Sequence, residues 1–234
     1  MKNILFVLLS LLLFTSCKEQ FKITGVSSVQ NFEGQTFYLK MYQDGKMVTV
    51  DSATIVHGRF GFSGPMDSVS MACLYYNDMC LVPVVLEKGD IMLKLTDAKQ
   101  YPYGTPMNDS LTTFINQKAS LESRLEELSS KEGQMVMDGV PYDSIVVVLS
   151  QEAEQINAES DKLISSFISK NYDNVLGAGV FMILTSNFPY PVLNPQIEAV
   201  LGMGTPYFLE NPYVKEYVRV ANENMEKLRE EGLE

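Results

Sequence analysis

LVPVVLEKGDIMLKL, residues 81–95, decides how the first part of the chain is read. Leu81 to Leu86 is almost continuously apolar, Glu87-Lys88-Gly89-Asp90 interrupts it with turn chemistry, and Ile91 to Leu95 resumes an apolar pattern. Two short runs around a glycine-bearing polar tetrad read as strands joined by a turn. The same pattern repeats back to Phe21. Phe37 to Tyr42 and Met47 to Val50 flank Gln43-Asp44-Gly45-Lys46, and Ile55-Val56 and Arg59 to Phe62 flank His57-Gly58, a tight hairpin candidate. About seven strands with short connections predict a small antiparallel sandwich or barrel over residues 21–104.

After Gly104 the period becomes helical. Thr105-Pro106 reads as an N-cap followed by proline at the first helical position, with Asp109 in the first turn. Leu111, Phe114, Ile115, Leu121, Leu125 and Leu128 then fall close to one face. Gly139 to Pro141 breaks the pattern, and Asp143 is placed to cap a second helix carrying Ile145, Leu149, Ile156, Leu163 and Phe167. Shorter helices are predicted near 175–184 and 196–202, and a last one over 212–231. The class is therefore α+β, with a β-domain over 21–104 and a helical half over 105–234 packed as one unit.

The amino end reads as targeting. Lys2 precedes an apolar stretch from Ile4 to Phe14 that only Ser10 interrupts. This is shorter than the ~20 apolar residues a helix needs to cross a bilayer. Leu13-Phe14-Thr15-Ser16-Cys17 resembles a bacterial lipobox, which implies a signal peptide over 1–16 and Cys17 as the acylated first residue of the mature protein. Residues 17–20 then form the tether. Several acyl chains hold a protein firmly where a single one does so only marginally, so Cys17 is an anchor to the membrane. The expected location is the cell envelope, at the outer membrane, facing the periplasm or the cell surface.

Formal charge is −11, from 18 Lys and Arg against 29 Asp and Glu, and losing Lys2 with the leader makes it one unit more negative. Nucleic acid is thereby disfavoured as a partner, because it binds basic surface. Two cysteines remain in a compartment where disulfides form, Cys73 and Cys80. With a two-residue turn at Tyr76-Asn77 they face one another across a hairpin; with the turn moved by one residue they do not. A bridge and two buried free thiols both remain open. The spacing excludes a C-x-x-C redox pair.

Residues 51–64, DSATIVHGRFGFSG, together with Pro83 to Ile91 and Gly104 to Leu111, resemble a bacterial domain of unknown function, number 4369. Asn194-Pro195-Gln196 and Asn211-Pro212-Tyr213-Val214 resemble the helical linker of the same proteins. In them the domain precedes a thioredoxin-like domain of the AhpC/TSA or TlpA type. The sequence ends at Glu234, about where that domain would begin, so its catalytic cysteines have no position here. The resemblance implies an accessory or recognition module, with a thioredoxin-like envelope protein as one partner.

Motifs for chemistry are sparse. H-E-x-x-H, S-x-x-K, G-x-S-x-G and a phosphate-binding glycine loop are all missing from the sequence. His57 is the single histidine and falls in a turn. Gly177-Ala178-Gly179 reads as close helix packing. The pairs Glu126-Glu127, Glu152-Glu154 and Glu230-Glu231 read as solvated helix faces. Tyr101-Pro102-Tyr103 and Phe188-Pro189-Tyr190-Pro191 read as aromatic loops, either lining a groove or packing the seam between the halves. Asp-Ser-aliphatic triplets at Ser52, Ser68, Ser110 and Ser144 resemble an envelope O-glycosylation motif, although strand ends and helix caps give each a structural reason. No catalytic residue, metal ligand or cofactor is assigned. The expected function is a non-enzymatic, membrane-anchored binding or accessory module, the alternative being a thiol-redox accessory to a thioredoxin-like protein.

Overall fold

The computed structural model describes residues 19–43, 45–186 and 188–230, so Cys17 and the leader lie outside the described residues. Eight strands come first: β1 (Gln20–Ser27), β2 (Thr36–Gln43), β3 (Lys46–Thr54), β4 (Arg59–Pro65), β5 (Ser70–Tyr76), β6 (Met79–Leu86), β7 (Gly89–Leu95) and β8 (Gln100–Tyr103). They make two four-stranded sheets, ordered β4-β1-β7-β8 and β3-β2-β5-β6. Alternation along each strand seals them face to face. Phe21 and Ile23, Phe37 and Leu39, Phe60 and Phe62, Leu74, Val82 and Val84, and Ile91 and Leu93 all point into one core. Each such side chain contributes about 1.5–3 kcal/mol on burial.

Two expectations change. The sandwich is not wholly antiparallel, since β1 runs parallel to β7 with Phe21 beside Gly89 and Ser27 beside Leu95. A parallel pair needs a crossover, and β2 to β6 supply it. The eighth strand is Gln100–Tyr103, read above as an aromatic loop, where Tyr101-Pro102-Tyr103 pairs antiparallel with β7. The His57-Gly58 hairpin forms as expected, with φ of 53° and 68°, the positive pair a type I′ turn requires. The Glu33 carboxylate accepts from both turn amides, His57 N–H at 2.7 Å and Gly58 N–H at 3.0 Å.

Six helices follow: α1 (Pro106–Met137), α2 (Tyr142–Lys170), α3 (Val175–Thr185), α4 (Pro195–Gly202), α5 (Pro206–Leu209) and α6 (Pro212–Glu230). Thr105 is the N-cap of α1 with Pro106 in its first turn. The second helix begins at Tyr142 with Pro141 at its N-cap, so Asp143 is its second residue and lies in the first turn, not at the cap predicted for it. Gly139, at φ 76°, ends α1 in a Schellman arrangement: Gly139 N–H reaches Val136 O at 3.1 Å and Val140 N–H reaches Met135 O at 3.0 Å. The bases of α1 and α2 pack with α3, α4 and α6 in a second core around Phe114, Ile168, Phe181, Phe208 and Val214. Val85, on the outer face of β6, belongs to this core and joins it to the sandwich.

α1 runs antiparallel to β6, from Asn108 bonded at Val85 to Lys118 beside Leu81. The residues after Lys118 carry it about 28 Å further at 1.5 Å per residue. Along that stretch it pairs with α2, Arg124 bonding Glu159 and Lys131 bonding Glu152. The start of β1 lies beside Gly89, at the end of the sandwich where α1 begins. The start of β1 and the tip of the helical hairpin therefore lie at opposite ends of the described residues.

Candidate functional site

The sheet β3-β2-β5-β6 has two faces. Its inner one closes the sandwich, while its outer one carries Lys40 and Tyr42 from β2, Met71, Cys73 and Tyr75 from β5, and Pro83 from β6. Across it lies α3, an almost wholly apolar helix buried from Leu176 to Phe181. The glycines explain how close it comes. A Cβ on Gly177 would stand 2.4 Å from Asn171 O, and one on Gly179 would stand 2.9 Å from Met71 Cγ. Both are positions of close helix packing.

A cleft remains along this seam. One part, about 200 Å³, lies between β2, β5 and α3 under Tyr207 and Tyr213; a second, about 140 Å³, continues toward Cys73 and Cys80. Tyr42, Met71, Gly179 and Met182 border both parts, which makes them one groove. Methionine side chains are flexible and polarisable, and they suit an apolar surface that adapts to what it binds. The upper wall is fixed by aromatic contacts. The Tyr42 and Tyr213 rings meet edge to face at 5.4 Å, and the Tyr213 hydroxyl shares a 2.8 Å hydrogen bond with Thr185 Oγ1. Burial pushes the Tyr213 hydroxyl above the ordinary tyrosine range, against the Thr185 hydrogen bond that pulls it down. Tyr172 and Tyr217 are raised by burial too, and their hydroxyls donate to Val200 O at 2.6 Å and Val192 O at 2.9 Å.

Cys73 and Cys80 form a disulfide at the floor of the groove, with Cα atoms 5.8 Å apart. The route differs from the predicted one. The turn is Asn77-Asp78, with Asn77 at φ 51°, and it pairs Tyr76 with Met79 and Tyr75 with Cys80. A register shift between Leu74 and Tyr75 then sets Cys73 opposite Pro83. The two cysteines thus meet diagonally beside a β-bulge, an irregularity that residue counting from the turn does not anticipate.

Of the other singled-out residues, His57 is exposed in its turn. Ser52, Ser68 and Ser144 are exposed, and Ser110 is half-buried on α1. These four do not come together. Of the aromatic-loop tyrosines, Tyr101 and Tyr103 lie in β8 and Tyr190 is exposed, whereas Tyr213 packs the seam and Tyr207 borders the cleft and is 54% exposed. Among the described residues no group of three or more His, Cys, Asp or Glu is placed to hold a metal ion, and no helix is long and apolar enough to cross a membrane. A separate apolar surface covers the hairpin tip, where Val136, Met137, Tyr142 and Val146 to Val148 are exposed, Met137 by 77%.

Sequence reasoning missed one buried network. Asn108, fully buried, donates from Nδ2 to Val85 O at 2.8 Å and accepts Val85 N–H on Oδ1 at 2.9 Å. Glu87 Oε1 accepts from Met107 N–H at 3.0 Å and Asn108 N–H at 3.1 Å, so a strand-end carboxylate caps α1. Thr105 Oγ1 accepts from Asn108 Nδ2 at 2.8 Å. The signal was present in Pro83 to Ile91 and Gly104 to Leu111 as two polar residues beside apolar runs.

A family model, Domain of unknown function (DUF4369), matches residues 21–111. The match covers the eight strands from Phe21 onward and the first turn of α1, and the Asn108 network lies within it. Neither a curated protein nor a solved structure matches the chain.

Proposed function

We propose that the protein is a lipid-anchored module of a bacterial cell envelope that binds an apolar group at the seam between sandwich and helices and carries out no reaction of its own. One observation carries this reading: the groove bordered on both parts by Tyr42, Met71, Gly179 and Met182. Apolar lining with a few polar groups at the rim is the usual make-up of a binding pocket. The lipobox-like segment ending at Cys17 supports the anchor, and the acidic charge of −11 argues against nucleic acid. With the anchor only a few residues before β1 in sequence, the hairpin tip would point away from the membrane.

Cross-linking mass spectrometry on native membranes, comparing the wild type with Cys17→Ala, tests both parts. The reading expects the variant in the soluble fraction and wild-type cross-links concentrated on the groove rim, at Lys40. Unchanged membrane association of Cys17→Ala would overturn the anchor, and cross-links confined to the hairpin would overturn the site.

The bridge at the groove floor favours a second reading, a thiol-redox accessory that works with a separate thioredoxin-like protein. Its support is the exposure of Cys80 at the mouth of the groove.

A further inference from the structure

Cys73 and Cys80 share a bond without sharing an environment. Cys73 is 8% exposed and sits on β5, an interior strand paired through Lys40 of β2 on one side and Pro83 of β6 on the other. Cys80 is exposed and is the second residue of β6, next to the turn. It also borders a depression of about 400 Å³ on the far side of the bridge, beside Leu81, Phe114, Ile115 and Ser186. A thiolate attacks a disulfide at one sulfur and expels the other, so access selects the target and acidity selects the leaving group. Access selects Cys80.

Lys40 serves the other half of that requirement. It is the register partner of Cys73, borders the same cleft as both cysteines, and holds its ammonium 4.7 Å from the Tyr75 ring centroid. A neighbouring cation favours the thiolate form of a cysteine, and a more acidic thiol leaves faster. Neither the exposure of Cys80 nor a lysine opposite Cys73 is needed to close a hairpin.

We infer that Cys73–Cys80 is an exchangeable disulfide that accepts two electrons from a dithiol docked in the depression beside Cys80. The incoming thiolate bonds to Cys80 Sγ as the Cys80–Cys73 bond breaks, and the electron pair leaves on Cys73 Sγ, which takes a proton from water. The donor's second thiolate then attacks the donor sulfur of the mixed disulfide. Cys80 is released as a thiol, and the donor departs with its own disulfide. The identity of the donor rests on the second reading above; the direction of exchange does not. Because β5 stays paired to β2 and β6, the reduced chain keeps its fold.

The full chain is incubated with reduced glutathione in buffer without denaturant, quenched with acid, alkylated and peptide-mapped. Glutathione on Cys80 with alkylated Cys73 is expected. Lys40→Met slows the exchange by roughly threefold or more, and Lys40→Arg, which keeps the charge, restores it. Glutathione on Cys73, or a bridge that opens only in denaturant, overturns the inference, and unchanged rates in Lys40→Met overturn the role of Lys40. Substituting thioredoxin for glutathione at equal thiol concentration separates the partner from the chemistry. Faster reduction supports a docked dithiol. A rate no higher, with glutathione still directed to Cys80, overturns the docked dithiol and leaves the direction of exchange standing.

Discussion

The Asn108 carboxamide binds both backbone groups of Val85, its Nδ2 donating to the carbonyl at 2.8 Å and its Oδ1 accepting the N–H at 2.9 Å. A side chain at the base of α1 thereby completes the hydrogen bonding of β6, the edge strand of its sheet. It fixes helix to sandwich at the edge of that sheet. Among the described residues no fully buried side-chain nitrogen or oxygen lacks a partner.

Replacing Asn108 by alanine leaves Val85 N–H and C=O buried without partners. At about 1–3 kcal/mol for each unsatisfied group, Asn108→Ala should cost about 3 kcal/mol or more. Asn108→Asp should cost a comparable amount, because a carboxylate cannot donate to Val85 O. Urea unfolding read by circular dichroism checks both, with the change appearing in the midpoint.

Gly177 and Gly179 should differ in kind. An alanine at 177 meets the backbone of Asn171, which cannot move aside, whereas at 179 it meets the end of the flexible Met71 side chain. Gly177→Ala should destabilise by about 1–3 kcal/mol, as overpacking typically does. Gly179→Ala should unfold near the wild-type midpoint while narrowing the groove, and thermal unfolding of the two variants separates them.

The bridge spans a sequence separation of 7. For so short a loop the chain-entropy argument gives about 2–3 kcal/mol, so Cys80→Ser should unfold cooperatively at a lower denaturant midpoint. Near-native circular dichroism of this variant in buffer would agree with a fold that survives reduction.

Two pH effects follow from the shifted groups. Glu33 is held below the ordinary carboxylate range by the His57 and Gly58 amides. With the folded-state value lowered, its contribution is full above the unfolded value and fades as pH falls through the folded one. The two amide resonances should therefore shift together in acid, below the ordinary glutamate range, and Glu33→Gln should remove the titration. Tyr172, Tyr213 and Tyr217 are raised by burial. Their contribution is full below the unfolded value of 10.0 and is lost as pH rises through the folded ones, so the seam should loosen in strong alkali. Tyr213→Phe should weaken that alkaline transition, followed by near-ultraviolet circular dichroism.

What could be read from the chain was local. Thr105-Pro106 announced α1 because capping depends on neighbours in sequence, and His57-Gly58 announced its turn because few residues tolerate two positive φ angles. What escaped depended on distant partners. Tyr101-Pro102-Tyr103 is a strand only because β7 lies beside it, and the parallel pairing of β1 with β7 joins segments separated by the whole second sheet. Cys73 meets Cys80 through a bulge that moves the register after the turn. Glu87 reads as an ordinary turn residue until α1 arrives above it. The cleft has no sequence signature, since its walls come from alternate residues of β2 and β5 and from one face of α3.

The most direct test uses methyl-labelled methionine in the full soluble chain, followed by NMR during titration with 1-anilinonaphthalene-8-sulfonate as an apolar probe. The account predicts that the Met71 and Met182 methyls shift together and saturably, that Gly179→Ala weakens the effect, and that Met137 at the hairpin tip stays still. Shifts at Met137 with the two seam methionines unmoved would contradict it.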